Sequence, residues 1–299
     1  FLLNVKPVSR SLIPRYALGN WWSRDKAYTT DNILALIQKF EKENIPLSVI
    51  LFDKDWHIRT TGPYKDLETG FTFNKNLISD PKSLIDFLHS KGIRVGLSVN
   101  PKDGIYPHEE HYQEIKNFLE YKEEGLIALD PLNPKMLDAL LKYLLEPLET
   151  LGVDFFWNDY KETKDLNRLW ILSHYIFNDL ARNPAKRGMI LSRNALEAAH
   201  RYPVLYAGTS KVSWENFMST PFFNLSASNI GACWWSHDVG GYDGGIEDPE
   251  LYIRSVQLGV FSPILRFHSS GGKYYKREPW KWDTKTSSIV GNYLRLRHR

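Results

Sequence analysis

The 299-residue chain carries 38 Lys and Arg against 35 Asp and Glu; a formal net charge of +3 gives no basic footprint for nucleic acid. An apolar fraction of 42% is enough for a sizeable core, and aromatics are abundant, with 10 Trp, 16 Tyr and 15 Phe. The single cysteine, Cys233, excludes an intrachain disulfide, and no apolar run reaches the roughly 20 residues of a membrane span.

Phe1-Leu2-Leu3 is not a signal peptide, so a soluble cytoplasmic protein is expected. Tyr16-Ala17-Leu18-Gly19-Asn20-Trp21-Trp22 reads as a first strand ending in aromatics. Asp31 caps a predicted helix over 32–43, with Ile33, Leu34, Leu36, Ile37 and Phe40 as its apolar stripe. After Pro46, the run over 47–52 is a strand delivering Asp53-Lys54-Asp55-Trp56. Asp80-Pro81 opens a second helix, Gly92 stops it, and 94–100 forms a third strand. An insert over 101–150 holds two helical patterns split at Asp130-Pro131.

Gly152-Val153-Asp154-Phe155-Phe156-Trp157-Asn158-Asp159 reads as a strand buried on both faces that ends in an acid, before the polar loop Lys161-Glu162-Thr163-Lys164. A helix over 166–181 leads to strands over 188–192 and 203–208. A helix over 214–225 precedes a strand over 231–236. Asp248-Pro249 starts a helix to Phe261, and Ile264-Leu265-Arg266-Phe267 is the last strand. Eight short strands alternating mostly with helices predict an α/β fold with a parallel sheet, and at this length a (β/α)8 barrel. A doubly wound open sheet is the alternative, but no Gly-rich phosphate loop follows the first strand.

In such a barrel, catalytic side chains sit at the C-terminal strand ends. Those ends carry Asp53 and Asp55, Asn100, Asp159, Arg193, the Gly208-Thr209-Ser210 turn, His237-Asp238 and His268. Carboxylates and Arg take paired hydroxyls, and aromatic faces cover sugar rings, so the set points to carbohydrate. Glycoside cleavage needs two carboxyl groups roughly 5 to 9.5 Å apart, one of them a proton donor. Each residue also has a structural reading: Asp55 as a cap or partner of Lys54 or Arg59, Arg193 as an ordinary ion pair, His237 and His268 as core histidines. A metal site is disfavoured by the absence of H-E-x-x-H and of a Cys pair, and no cofactor is expected.

Six ordered motifs carry a family resemblance. They are Leu51-Phe52-Asp53-Lys54-Asp55-Trp56, Phe156-Trp157-Asn158-Asp159, Ser192-Arg193, His200-Arg201-Tyr202-Pro203, Ser236-His237-Asp238-Val239-Gly240-Gly241-Tyr242 and Leu265-Arg266-Phe267-His268. Together they resemble glycoside hydrolase family 31, the retaining α-glucosidases and α-xylosidases, from Pro14 to the C-terminus. The resemblance implies that Asp159 is the nucleophile and that Asp53, Arg193 and His268 bind hydroxyls of the cleaved sugar. It implies that Asp238 is a buried acid orienting its neighbours, Tyr242 a wall of the subsite and Trp157 its aromatic floor.

Two departures stand out. The family's acid/base Asp falls where this chain has Thr209, 16 residues after Arg193 and 29 before Asp238, and no carboxylate follows until Glu215. A threonine hydroxyl cannot act as a general acid near neutral pH, so hydrolysis is expected to be impaired. The alternative is a non-catalytic or engineered carbohydrate-binding or scaffold barrel derived from the family. The second departure is extent: residues 1–299 read as a single catalytic barrel without the family's flanking β domains, and surface those domains would cover is expected to favour self-association.

Overall fold

A computed structural model of the chain describes residues 12–59, 68–159, 166–184, 186–193, 199–271 and 276–299. The predicted loop 161–164 lies outside the described residues. Residues expected to start the first strand instead form a 3-10 turn, Arg15–Leu18, after Pro14, and β1 is Asn20–Arg24. Helix α1, Thr30–Lys42, is capped by Thr29 rather than Asp31, through a reciprocal box with Asn32. β2 is Val49–Phe52, α2 is Pro81–Ser90 with Asp80 as its cap, and β3 is Arg94–Val99.

The insert forms α3, Tyr112–Leu119, and then a continuous helical stretch of α4 (Pro134–Ala139), a π segment (Leu140–Leu145) and α5 (Glu146–Leu151). β4 is Phe155–Asn158, α6 is Leu166–Leu180, β5 is Ile190–Arg193 and β6 is Leu205–Tyr206. α7 runs over Trp214–Asn229, between β7 (Lys211–Val212) and β8 (Trp235–Asp238). β9 is Asp243–Gly245, α8 is Pro249–Val260, β10 is Ile264–Ser269 and α9 is Thr284–His298. The strand ending at Ser236 by sequence therefore extends to Asp238, and the last one extends two residues past Phe267 to take in His268 and Ser269.

The eight strands β1-β2-β3-β4-β5-β6-β8-β10 close into a parallel barrel. β7 and β9, which the sequence pattern did not single out, pair separately beside it. Period-two alternation decides what enters the barrel. Trp21, Val49, Leu51, Phe155, Trp157, Leu191, Tyr206 and Ile264 form one buried cluster, plugged from below by Ile13 and Ala17. Gly96 makes room for the Phe155 ring: a Cβ there would lie 2.4 Å from Phe155 Cζ.

The opposite residues of the same strands, among them Ile50, Phe52, Val95, Leu97, Phe156 and Ile190, pack outward on Ile33, Ile37, Leu84, Leu88, Leu172 and Ile176 of the helices. Each such fully buried side chain contributes about 1.5–3 kcal/mol of transfer free energy. Among the described residues no helix is long and apolar enough to cross a membrane.

Candidate active site

The alternation that buries Phe155 and Trp157 inside the barrel brings Asp159 to the same side one step above them. It likewise stacks Arg266 and His268 on Ile264, Arg193 on Leu191, and Asp53 on Leu51. The apolar lower layers thus give way to a polar layer at the C-terminal mouth.

Asp159 is buried, and its Oδ1 accepts from Arg193 Nε at 3.1 Å. Asp53 lies just past β2 and accepts from the backbone N–H of Lys54 at 2.7 Å. Burial first, then the charges of Asp25 and Asp159, push its carboxyl up to about 7. The ring of His268 meets Ser23 Oγ at 2.8 Å through Nδ1 and stands 3.9 Å from Asp53 Oδ2 through Nε2, too far for a hydrogen bond. Burial and the guanidinium groups of Arg266 and Arg193 hold His268 well below the ordinary imidazole range, so it is neutral.

Tyr242 stacks on His268 with ring centroids 5.1 Å apart, and its hydroxyl donates to Asp25 Oδ2 at 2.7 Å. Lys54 Nζ approaches the same oxygen at 3.3 Å. Trp157 forms the floor: it meets Tyr206 and His268 edge-on at 5.5 and 5.2 Å. Its indole N–H is buried with no acceptor among the described residues.

Beneath the mouth, Arg266 is fully buried. It donates to Asp238 Oδ1 at 2.6 Å and Ser236 Oγ at 3.0 Å, and its guanidinium lies 4.4 Å from the Tyr206 ring centroid. Tyr206 gives Asp238 a second donor at 3.2 Å. Burial raises the Asp238 carboxyl to about 6 and Arg266 opposes it, which leaves the group ionised at neutral pH. Breaking such a pair strands a charge in the core and costs about 3–5 kcal/mol.

Asp53, Trp157, Asp159, Arg193, Tyr242 and His268 are thus linked across one mouth, while Asp238 sits in the layer below. Thr209 stands apart: it is exposed on the loop after β6, next to Gly208 at φ +90, and among the described residues it makes no hydrogen bond. Glu215 is an exposed residue of the first turn of α7. Asp55 pairs with Arg59, its structural reading. Among the described residues no cluster of His, Cys, Asp and Glu has metal-binding geometry.

A family model described as the glycosyl hydrolases family 31 TIM-barrel domain matches residues 10–299. The chain belongs to that family. It is 28% identical to α-glucosidase 2 of Bacillus thermoamyloliquefaciens, over 96% of this chain and 40% of that protein. With an α-xylosidase of Saccharolobus solfataricus it shares 24% identity, over 96% of this chain and 42% of the relative. The fold matches a Flavobacterium johnsoniae family 31 dextranase complexed with glucose at TM-score 0.79 and 23% identity, over 96% of this chain and 40% of that one. It also matches a cycloalternan-degrading enzyme from Trueperella pyogenes, solved with a covalent intermediate, at TM-score 0.76 and 20% identity, over 96% and 47%. The family 31 chain here spans about two fifths of the length of these curated relatives.

Sequence reasoning gave no role to Asp25, Lys54, Tyr206 or Arg266. Arg266 could have been found, because a charge inside the apolar run Ile264-Leu265-Arg266-Phe267 needs a buried partner. Asp25 had no such signal; only closure of β1 against β10 and β2 brings it to Tyr242 and Lys54.

Proposed function

We propose that this chain is the catalytic barrel, over 1–299, of an α-glycoside hydrolase that works by double displacement with Asp159 as nucleophile. The observation that carries the reading is the Asp159 carboxylate held by Arg193 above the Trp157 floor, in a family 31 barrel. An Asp159 oxygen attacks the anomeric carbon as the glycosidic C–O bond breaks, giving a glycosyl ester. Water then attacks the same carbon, the ester C–O bond breaks, the carboxylate is freed, and the proton that water loses passes through solvent to the departed leaving-group anion. Asp53 and neutral His268 are oriented to exchange hydrogen bonds with sugar hydroxyls, Tyr242 walls the subsite, and Asp238 fixes Arg266 and Tyr206 beneath it.

Thr209 supplies no proton, so the leaving group departs as its own anion. The absence of general acid help costs ~10²- to 10⁴-fold in rate for a poor leaving group and much less for an acidic phenol. Aryl α-glycosides of acidic phenols are therefore expected to be cleaved far faster than disaccharides of the same sugar; equal rates on both would sink the assignment of Thr209. The exposed threonine also favours a second reading, a carbohydrate-binding barrel without turnover. That reading predicts saturable sugar binding with neither substrate cleaved.

A further inference from the structure

Arg277 and Glu278 follow β10 side by side, and both are buried, at 3 and 7% exposed. A buried guanidinium is ordinarily matched by a carboxylate, as Arg266 is by Asp238. Among the described residues Arg277 touches no carboxylate. Its Nη2 donates to the carbonyls of Gly240 at 2.8 Å and Gly241 at 2.7 Å, its Nη1 to that of Lys276 at 3.0 Å, and its Nε has no acceptor. Burial pulls its pKa down to about 10, which leaves it charged at neutral pH. A charge buried with no counter-charge in contact is costly. What it secures here is the course of one turn, through charge-assisted bonds to two successive carbonyls. That turn sits directly on the guanidinium: Gly240 has φ +90, and a Cβ there would lie 2.8 Å from Arg277 Nε.

Tyr242 is the next residue, stacked on His268 and bonded through its hydroxyl to Asp25 Oδ2. Glu278 holds the other end of that bond. Its two carboxylate oxygens accept from Arg24 Nη1 at 3.0 and 3.1 Å, and Oε1 also accepts from Lys281 Nζ at 2.8 Å. Burial opposes its charge, but Arg24 and then Lys281 outweigh burial and hold the Glu278 carboxyl below the ordinary range. Arg24 ends β1, and the residue after it is Asp25. The two grips are braced on each other, because Glu278 Oε2 accepts from the Arg277 N–H at 3.2 Å. Tyr252 of α8 anchors both from behind, donating to the Arg277 carbonyl at 2.7 Å.

We infer that Arg277 and Glu278 are positioning residues that clasp the two halves of one wall of the mouth, Tyr242 through its preceding turn and Asp25 through Arg24. The inference rests on the reading of this mouth as a sugar subsite. The main chain after β10 serves the same end: Asp25 N–H donates to the Ser269 carbonyl, and Ser270 N–H to that of Tyr242, each at 3.0 Å. Those bonds set where the two residues stand, and the buried side chains fix the turn and the strand end from which they project. A displacement of Tyr242 by about 1 Å would break its bond to Asp25, and a misplacement of that size in a subsite costs up to ~10²-fold in rate.

Hydrogen exchange read by mass spectrometry on the 299-residue chain tests the clasp without a substrate. Arg277→Lys keeps the charge but loses the fork; exchange over 239–243 should quicken while β3 and β4 exchange as in the parent. Glu278→Gln, which keeps the side chain's shape, should do the same over 24–26, and that arm does not depend on Arg277→Lys folding. Unchanged exchange in both segments, or an equal rise in β3 and β4, would overturn the clasp. The positioning role is read from kcat/KM on an aryl α-glycoside of an acidic phenol. Arg277→Lys should lower it by ~10- to 10²-fold in the parent, and by less than about twofold in a Tyr242→Ala background, where no wall is left to position. The same fold-loss in both backgrounds would mean that Arg277 acts only through overall folding, and would overturn that role. A parent that cleaves no glycoside would overturn the hydrolase reading instead, and the exchange result alone would then decide the clasp.

Discussion

On the proposed function, Thr209→Asp places a carboxyl group at the position expected to carry the acid/base, and its effect can be worked out before it is measured. Thr209 is exposed and has no hydrogen bond among the described residues, so folding stability should change by no more than about 0.5 kcal/mol. A general acid is worth ~10²- to 10⁴-fold on a poor leaving group, but only in its protonated form. At an exposed position the new carboxyl keeps a pKa of about 3.9, so about one molecule in a thousand is protonated at pH 7 and about 7% at pH 5.

The gain in disaccharide turnover should therefore be at most about tenfold at pH 7 and roughly 10- to 10³-fold at pH 5. Taking the ratio of variant to parent at each pH cancels the titration of groups that both share, Asp53 among them. Burial of the new carboxyl under the bound aglycone would raise its pKa and move the gain toward neutral pH. Thr209→Asn, which has the shape without the proton, should gain nothing. A disaccharide ratio that stays at one at pH 5, while aryl glycoside is still turned over, would refute the argument that the missing proton limits this chain.

Further outcomes follow from the same geometry. Asp159→Ala should abolish cleavage of aryl glycosides and disaccharides alike while leaving the fold intact by circular dichroism; residual aryl cleavage near the parent rate would exclude Asp159. Arg266→Met should cost about 3–5 kcal/mol by chemical denaturation, because Asp238 is left as an unpaired buried charge, and Asp238→Leu in the same chain should recover part of that loss. Glu109, buried against Phe71 N–H and Thr72 Oγ1, is pushed up to about 7 by that burial, as Asp53 is by its own. Unfolded carboxyls titrate near 4. Between about pH 4 and 7 these two carboxyls hold protons in the folded chain that they have lost in the unfolded one, so their contribution to stability falls as pH rises through that window, while the buried His57, His237 and His268, held low by burial, contribute in the opposite sense. The Glu109 share is read as the difference between parent and Glu109→Gln denaturation midpoints at several pH values: the parent should lose ground to the variant as pH rises from about 4 to 7, and a difference that does not change with pH would contradict the raised carboxyl.

Much of the barrel could be read from residue order. β4 was legible because Phe155, Phe156 and Trp157 are buried whether they face the barrel interior or the helices, which removes alternation and leaves a continuous apolar run. Strand starts were less legible. Tyr16-Ala17-Leu18 has strand composition, yet after Pro14 it closes a 3-10 turn whose Ala17 helps to plug the barrel floor. The β7–β9 pair escaped notice because Lys211-Val212 and Asp243-Gly244-Gly245 are too short and too polar or glycine-rich to show a period.

At the mouth, the strand-end rule gathered Asp53, Asp159, Arg193 and His268. The contacts that tune them come from residues distant in sequence. Asp25 reaches Tyr242 across 217 positions, and Ser23 reaches His268 across 245. Such pairings follow from closure of β1 against β10, which no local pattern encodes. The exposure of Phe222, Phe223 and Leu225 on α7 was hidden for a different reason: they look like core in a sequence, and only the packed barrel leaves them in water.

The central claim is that Asp159 attacks the anomeric carbon. An α-glycoside with fluorine at C2 and an activated leaving group tests it, because the fluorine slows both steps and the good leaving group preserves the first. Intact mass after incubation should rise by one 2-fluoroglycosyl unit, and peptide mapping should locate the ester on Asp159. An unmodified chain with every such sugar that binds, or an adduct mapped to another carboxylate such as Asp53, would contradict the account.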